Sequence, residues 1–496
     1  MAEIKIGWGR ENVTPTGPCM VAGQMSNRLA LQILDQLYTT ALALEADQTK
    51  VIMISLDAVS FRQKLMEAIR EKFATVTGLK DVQIFGSVTH THTAPQYGTV
   101  IPKEEWIMSE KFSCECPGNR GVDVEEIRKK HPDFVDSEQY FDYLVEKITA
   151  AAVSAWNARA NGKIAYGMGT AVVGECRRLV MKDKGGIMYA LEDDPEMLHA
   201  EGHVDHALNV LATYSMTGEL TGLVLNVACP SQVSEALKIV SADYWNEVRA
   251  EVGARWGKDI YILPQCGAAG DQSPHKILTR KADERMMMLR GQQKDHVAGW
   301  KWGERVYDLE YGLARRREIA RRIAVALEDV LPVIAPTAES EPVFKASAQV
   351  IDLPARKITG EEAANAQKDA DFLIERMKQT GSEFYGSINW NLGVVKRYKN
   401  PLDTVPMELN VVRIGDVAFS TNSYELYLDY GDRIKGRSNA VQTFLMQLAN
   451  GMGSYLPTKR SGTTGYGSVP ASCIVTYDGG DKLVEESVKA INALFE

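Results

Sequence analysis

The sequence predicts an α/β protein, a large multilayer catalytic domain in which a mixed β-sheet is flanked by helices. Residues 51–57 form a continuous apolar run that ends in a carboxylate, and residues 84–89 form a second short apolar run. Such runs are typical of central strands that are covered on both faces. Between them, Leu65, Ile69 and Phe73 follow helical spacing. Strand, helix and strand in this order indicate an α/β layer.

Further elements follow from the same periodicities. Residues 137–157 and 311–330 have apolar positions at helical spacing, so both are predicted to be helices. The Arg- and Lys-rich stretch that leads into the second helix is interpreted as a solvated helix face. Residues 222–229 and 261–266 are apolar runs that predict two more buried strands.

The last quarter of the chain predicts a hairpin and then a helix. Gly415 and Asp416 separate two apolar runs, as in a tight β-turn. The helix after this hairpin is expected to end near residues 448–451, with Gly451 as its C-cap. No internal repeat is visible in the sequence.

Length and composition suit one large catalytic unit over residues 1–496. Its 45% hydrophobic and 24% charged residues are those of an ordinary soluble globular protein. Residues 101–135 are polar and irregular and contain Cys114 and Cys116, without a second Cys or His pair at zinc-finger spacing. We therefore expect a lid or insertion loop there.

Charge and cysteine usage exclude several classes of partner. The net charge of −9 argues against nucleic acid, and no apolar run approaches the roughly 18 residues that a membrane helix needs. A small-molecule substrate is the expected partner, and the oligomeric state stays open. The start of the chain lacks the pattern of a signal peptide, and the seven cysteines are an odd number spread over a long chain. These features predict a cytoplasmic protein with reduced thiols.

The strongest chemical motif is the pair His90 and His92 after the second apolar run. On a strand, side chains at i and i+2 point to the same face with Cα atoms roughly 6.5 Å apart. One imidazole could then hold a metal while the other reaches a substrate. The alternative is a strand end whose histidines only hydrogen-bond to loop backbone. Asp57 also follows a strand, where catalytic groups often lie, but a structural turn role explains it equally well.

Two further segments carry candidate site residues. Residues 267–275 are rich in small residues, which allow close approach of a ligand, and a turn there would expose Ser273. A tight turn without chemistry is the alternative for this segment. Arg177 belongs to an arginine pair, which is usually solvated, but one arginine that faces a pocket is a natural anchor for a carboxylate or phosphate.

Taken together and in order, these motifs resemble the neutral/alkaline (non-lysosomal) ceramidase superfamily, which are zinc-dependent amidases. Residues 12–15 are similar to the family's Asp-Ile-Thr-Pro, and residues 89–95 are close to its Thr-His-Thr-His-Ser-Gly-Pro. Residues 270–274 match its Gly-Asp-x-Ser-Pro, and residues 422–425 lie where the family has Pro-Gly-Glu. The resemblance covers nearly the whole chain.

The resemblance implies a site and a reaction. His90, Glu425 and Tyr455 would hold zinc, whose bound water or substrate carbonyl would take an open position. His92 would polarise the carbonyl or move protons, and Tyr466 would stabilise an oxyanion. Ser273 would orient water or substrate, while Arg177 would anchor a polar or anionic end. The expected function is therefore metal-dependent hydrolysis of an amide or related acyl bond.

Two departures from the family shape the expected function. The family's second zinc histidine follows a strand, but residues 226–232 of this chain contain no histidine. Cys229, at that strand end, could supply a thiolate ligand, with a buried inert cysteine as the alternative; His203 or His206 could also fill the gap. The chain also ends without the family's C-terminal immunoglobulin-like domain. We therefore expect a small soluble substrate rather than ceramide.

Two other functions remain open at this stage. The same pocket could serve a lyase or isomerase that acts on a sugar-like polyol, with His92 or Tyr466 as the base. Such a lyase would make an unsaturated product that absorbs ultraviolet light. A non-catalytic binding protein of the same fold is the third possibility, and absence of metal and turnover would favour it.

Overall fold

A computed structural model describes residues 2–98, 123–189, 194–292, 308–380 and 384–496 of the chain. Two stacked β-sheets form its centre. The larger sheet has eight strands in the order β16-β14-β13-β8-β1-β5-β6-β7. These strands are β1 (Lys5–Asn12), β5 (Tyr38–Ala46), β6 (Thr49–Leu56), β7 (Gln83–Val88), β8 (Ala160–Thr170), β13 (Ala207–Ser215), β14 (Leu220–Val227) and β16 (Tyr261–Cys266).

The smaller sheet has four strands in the order β18-β19-β20-β22. They are β18 (Phe344–Pro354), β19 (Thr404–Ile414), β20 (Val417–Thr421) and β22 (Gln442–Met446). Short strands decorate the loops: β2 (Cys19–Val21), β3 (Arg28–Ala30), β4 (Gln32–Ile33), β9 (Glu175–Cys176), β10 (Arg178–Met181), β11 (Gly185–Met188), β12 (Met197–Ala200), β15 (Ile239–Val240), β17 (Gln272–Ser273), β21 (Glu425–Leu426) and β23 (Tyr455–Leu456).

The described residues also form helices, six of which pack on the two sheets. They are α1 (Gln63–Thr77), α2 (Val124–Lys130), α3 (Ser137–Asn157), α4 (Tyr244–Trp256), α5 (Arg280–Leu289), α6 (Leu309–Ile334), α7 (Gly360–Thr380), α8 (Tyr385–Lys399), α9 (Leu428–Arg437) and α10 (Tyr477–Ala493). Helices α1 and α3 pack on one half of the large sheet, α4 and α6 on the other half, and α9 and α10 on the small sheet.

The apolar core between the sheets joins the four layers. Trp8, Leu42 and Phe85 of the large sheet share one buried cluster with Phe419 and Phe444 of the small sheet. Because strands such as β6 are buried on both faces, their sequences are continuously apolar rather than alternating. The predicted fold class, a multilayer α/β domain with a mixed sheet and flanking helices, is confirmed.

A repeated unit organises this architecture, although no repeat is visible in the sequence. Three antiparallel strands are followed by a helix, a strand parallel to the third, and, later in the chain, a second helix. The unit occurs as β1-β5-β6-α1-β7-α3, as β8-β13-β14-α4-β16-α6 and as β18-β19-β20-α9-β22-α10. The first two units are joined edge to edge through β1 and β8. Parallel strands end on one side, so each unit directs loops toward that edge.

The structure settles several element predictions. The helix predicted over residues 137–157 is α3, and the hairpin around Gly415 and Asp416 joins β19 and β20. The helix expected to end near residues 448–451 was wrong, because α9 ends at Arg437 and residues 442–446 form β22. Periodicity does not separate a short buried strand from a buried helix segment.

The lid predicted over residues 101–135 is only partly covered by the structure. Residues 99–122, including both cysteines of that segment, lie outside the described residues. The described end of the segment contains α2, whose N-cap Asp123 accepts a hydrogen bond from the backbone N–H of Glu126. The lid therefore stays a prediction.

The contact between α3 and β1 depends on a glycine, which gives a test of the packing. A Cβ atom on Gly9 would lie 2.1 Å from the carbonyl oxygen of Ala151, a backbone atom. Gly9→Ala is expected to lower the free energy of unfolding by about 1–3 kcal/mol or more, because the helix must move away. Urea unfolding checks this value. Gly436→Ala is the control, since nothing lies within 4 Å of its Cβ position; an equal loss there would contradict the packing argument.

Candidate active site

His90 and His92 lie in the loop that follows β7, not on the strand itself. The strand ends at Val88, and His90 has a left-handed backbone with φ of 60°. The same-face strand geometry expected for the pair is therefore wrong. With this backbone conformation the two rings approach each other, and their Nε2 atoms lie 3.4 Å apart. Histidine is among the residues that tolerate this backbone region.

The tautomer of His90 is fixed by its neighbours. Its Nδ1 lies 2.6 Å from the carbonyl oxygen of Val59. Since a carbonyl only accepts, Nδ1 carries the proton and Nε2 of the neutral ring presents a lone pair. That Nε2 faces Oε2 of Glu425 at 3.6 Å. Residues more than 300 positions apart in the sequence thus meet at one point.

Glu425 is an ionised carboxylate in a buried position. It follows β20 and opens the short strand β21, which pairs in parallel with β23 and so places Glu425 opposite Tyr455. Burial on its own would raise the pKa of Glu425, but His90, Arg177 and Tyr455 together hold it below its ordinary value. The site therefore contains a negative charge at neutral pH.

Arg177 is buried beneath this carboxylate. Its guanidinium donates to the carbonyl oxygen of Gly270 at 2.9 Å, to the hydroxyl of Tyr455 at 3.2 Å and to Oε1 of Gln232 at 3.3 Å, and lies 3.6 Å from Oε2 of Glu425. Burial alone would lower the pKa of Arg177, but neighbouring tyrosines and carboxylates raise it well above its ordinary value. Arg177 is thus a permanent cation that contacts several loops of the site.

Three aromatic side chains form one wall of the site. The rings of Tyr455 and Tyr466 meet edge to face with centroids 5.2 Å apart, and Tyr466 stacks on Trp390 at 5.3 Å. Burial raises the pKa of both tyrosine hydroxyls above the ordinary value. Both hydroxyls therefore keep their protons and can donate hydrogen bonds. Tyr466 is 38% exposed, which places it at the mouth.

A cavity of about 110 Å³ is bordered by both histidines, Glu425 and the three aromatic side chains. Several water molecules fit in this volume, since one needs roughly 10–15 Å³ by the same measure. The cavity is also lined by amide side chains and by small apolar groups, among them Gln24, Asn27, Gln96, Val59 and Leu448. Its lining is thus partly polar and partly apolar.

Ser273 does not line this cavity. It is fully buried in the turn after Gly270, and its hydroxyl accepts the backbone N–H of His275 at 3.1 Å. His275 in turn lies 2.9 Å from the carbonyl oxygen of Gln232 through its Nε2. Ser273 thus contacts His275, which contacts Gln232, and it does not itself border the cavity. Its predicted role in orienting water or substrate stays a prediction.

Cys229, Asp57 and His203 also lie away from the cavity. Cys229 belongs to an apolar core cluster, and burial raises the pKa of its thiol to about 12. Asp57 accepts from the backbone of Tyr38 and pairs with Arg249, which is the structural role. His203 is half exposed and contacts surface aspartates.

The sequence analysis missed two residues in direct contact with His92. Nε2 of Gln232 lies 2.7 Å from Nε2 of His92, and Oε2 of Glu235 lies 3.5 Å from Nδ1 of His92. Both belong to the loop after β14, the segment that lacks the family's histidine. The available signal was a polar cluster directly after a buried strand, at the edge where catalytic groups gather.

Comparison with solved structures decides the fold. The neutral ceramidase from Pseudomonas aeruginosa superimposes with a TM-score of 0.67 at 15% identity, over 100% of this chain and 75% of that one. A ceramidase complexed with C2 gives a TM-score of 0.67 at 14% identity, over 100% and 76% of the two chains. The chain has a ceramidase-like fold. No protein-family model matches it, and no curated protein matches it in sequence.

The ceramidase-like fold raises the question of whether these residues fit a metal ion. The described ranges contain no group of three or more His, Cys, Asp and Glu side chains that is arranged as a metal site. The donor chemistry nevertheless fits a cation at Nε2 of His90. This lone pair faces the carboxylate of Glu425 at 3.6 Å. Neighbouring ligand atoms of a tetrahedral zinc ion are separated by about 3.4 Å.

Glu235 gives a prediction for stability against pH. Burial raises the pKa of Glu235 to about 7, although Arg177 and Arg28 lower it. Because this pKa is above the unfolded-state value of about 4.3, the protonated form is favoured by folding, and this stability is lost as the pH rises toward 7. Glu235→Gln removes the titration, so the unfolding free energy of the variant should rise relative to wild type between about pH 5 and pH 8. Urea unfolding at both pH values measures the difference in unfolding free energy between variant and wild type. The same difference at both pH values would contradict the prediction.

The described part of the ceramidase-like chain has no helix that is long and apolar enough to cross a membrane.

Proposed function

We propose that the protein is a metal-dependent hydrolase that cleaves an amide or related acyl bond in a small soluble substrate. The observation that carries this proposal is the contact of two acceptor atoms, Nε2 of His90 and Oε2 of Glu425, which lie 3.6 Å apart. Acceptors in such contact repel one another unless a cation or a proton lies between them. The similarity in fold to ceramidases, which are hydrolases of an amide bond, supports the choice of reaction.

In this proposal His90, Glu425 and Tyr455 would hold the metal. When bound, a metal ion supplies Lewis acidity and lowers the pKa of coordinated water toward neutrality. Arg177 keeps Glu425 ionised and orients the hydroxyl of Tyr455 through its hydrogen bond of 3.2 Å. Cys229 has no place in this set, because its protonated thiol is in the apolar core.

The other residues act on protons and charge. His92 would accept the proton of the attacking water and return it to the leaving nitrogen. Tyr466, whose hydroxyl stays protonated at the mouth, would donate to the developing oxyanion. The first step needs an unprotonated nitrogen on His92, and the second needs a protonated hydroxyl on Tyr466.

The lining supports a small polar substrate. Gln24, Asn27, Gln96 and Ser60 border the cavity, and polar side chains of this kind orient a polar ligand in a binding site.

The test combines metal analysis with a substrate panel. Purified protein is expected to contain about one metal ion per chain, with zinc as the first candidate. On a panel of small N-acyl compounds, esters and polyols, amine release with uptake of water is expected, and it should stop after chelation. A product that absorbs ultraviolet light would replace the hydrolase with a lyase. Protein with neither metal nor turnover would favour the binding protein.

A further inference from the structure

The imidazole of His92 is held on several sides by protein groups. A Cβ atom on Gly23 would lie 2.3 Å from the ring, so backbone packs directly against it. Gly23 has a φ of 99°, a conformation that glycine adopts without strain. Gln232 contacts Nε2 of the ring at 2.7 Å. The ring plane is therefore fixed before substrate arrives.

The hydrogen-bond partners of Gln232 also fix which nitrogen of His92 carries the proton. A guanidinium has only donors, so the side chain of Gln232 must turn its Oε1 toward Arg177, at 3.3 Å. Its Nε2 then donates to Nε2 of His92, which must present a lone pair. The proton of the neutral ring is consequently on Nδ1.

The nearest acceptor for this Nδ1 proton is Glu235. Its Oε2 lies 3.5 Å from Nδ1 and also accepts from Nε2 of Gln24 at 3.1 Å. Nδ1 of His92 is buried and makes no formed hydrogen bond among the described residues, so Glu235 approaches it without yet accepting its proton. Catalytic hydrogen bonds are often this long before substrate binds.

Arg28 binds both loops, the one that carries His92 and the one that carries Glu235. Its guanidinium donates to the carbonyl oxygen of His92 at 2.7 Å and to that of Glu235 at 2.5 Å. The loop after β7 and the loop after β14 are therefore joined at the residues in question. Glu235 itself is 4% exposed, so bulk water does not replace it as the acceptor.

We propose that Glu235 is the positioning residue of His92, and that it holds the Nδ1–H tautomer whose free Nε2 acts as the base. The inference rests on the proposed hydrolase function. In the attack step an O–H bond of water breaks and an N–H bond forms at Nε2, and Glu235 stabilises the resulting imidazolium. The same proton then passes from Nε2 to the leaving nitrogen. Gln232 occupies the Nε2 lone pair until water or substrate takes its place.

The first test reads the tautomer directly and needs no turnover. Side-chain ¹⁵N NMR of uniformly histidine-labelled protein distinguishes a protonated from an unprotonated ring nitrogen, and His92→Gln assigns the signal. Wild type is expected to show protonated Nδ1 and unprotonated Nε2 at His92. The Nε2–H tautomer in wild type would overturn the proposal, even if no substrate is ever found.

The second test separates positioning from general stability. Glu235→Gln is expected to lower kcat about 100-fold with KM changed less than about 2-fold, and Glu235→Asp should recover part of the loss. Glu318→Gln is the matched control, because Glu318 is a fully buried, ion-paired carboxylate in another layer. Equal losses in both variants, or an unchanged kcat in Glu235→Gln, would overturn the proposal. Absence of wild-type turnover would reject the hydrolase function while the NMR result still decides this one.

Discussion

Replacing His90 with alanine is expected to prevent binding of the proposed metal ion and to abolish turnover. Nε2 of His90 presents a lone pair to the carboxylate of Glu425 at 3.6 Å. Without this nitrogen, only two of the three proposed metal ligands remain, Glu425 and Tyr455. The loss in kcat/KM should exceed the roughly 10–100-fold that removal of an outer partner of a metal ligand costs.

Two variants separate this effect from a change in folding. His90→Asn keeps a residue type that tolerates the left-handed backbone of this position, and it should lose metal as His90→Ala does. His199→Ala removes an exposed histidine and should keep both metal and activity. Metal per chain is measured by elemental analysis alongside the melting temperature. A full metal content in either His90 variant would contradict the proposed site.

The sequence predicted the architecture well where elements are long or strongly periodic. Strands β6 and β7 and helix α3 were predicted because continuous apolar runs and helical spacing are local signals. Strand β22 was missed because a strand of five residues, four of them buried, gives too short a pattern to separate strand from helix. The repeated unit is a repeat of topology, and its copies pack against different neighbours, so their side chains do not repeat.

The candidate site divides in a similar way. His90, His92 and Arg177 stood out as residues, but nothing in their spacing pointed to Glu425, which only the resemblance to ceramidases brought in. The structure then placed their side chains in contact. For Gln232 the sequence offered only a polar cluster after a buried strand, because its contact with His92 depends on the path of the loop.

Backbone conformation explains the remaining difference at the histidines. The sequence was interpreted as a strand that carries both rings on one face. In the structure His90 has a left-handed backbone, and the rings approach at their Nε2 atoms instead. A left-handed residue is decided by the contacts of the whole loop, and local propensity predicts it poorly.

Replacing Arg177 with methionine is expected to cause the largest loss of stability of any single change at the site. The fully buried guanidinium compensates Glu425 and donates to Gly270, Gln232 and Tyr455. Methionine of similar length supplies neither charge nor donors, so a buried carboxylate is left uncompensated. Removing one partner of a buried ion pair costs about 3–5 kcal/mol. Urea unfolding at pH 8 measures the loss of unfolding free energy.

The pH dependence and the control variants identify the cause of this loss. At pH 8 the carboxylates of Glu425 and Glu235 carry charge that only Arg177 and its neighbours compensate. Protonation at lower pH removes that charge, so Arg177→Met should be less destabilising at pH 5 than at pH 8. The unfolding free energy of Arg177→Lys should lie between those of wild type and Arg177→Met, since an ammonium keeps the charge but not the planar set of donors. Arg317→Met, at an exposed position of α6, should cost less than about 0.5 kcal/mol. A loss of that size in Arg177→Met as well would mean that the buried guanidinium does not hold the site together.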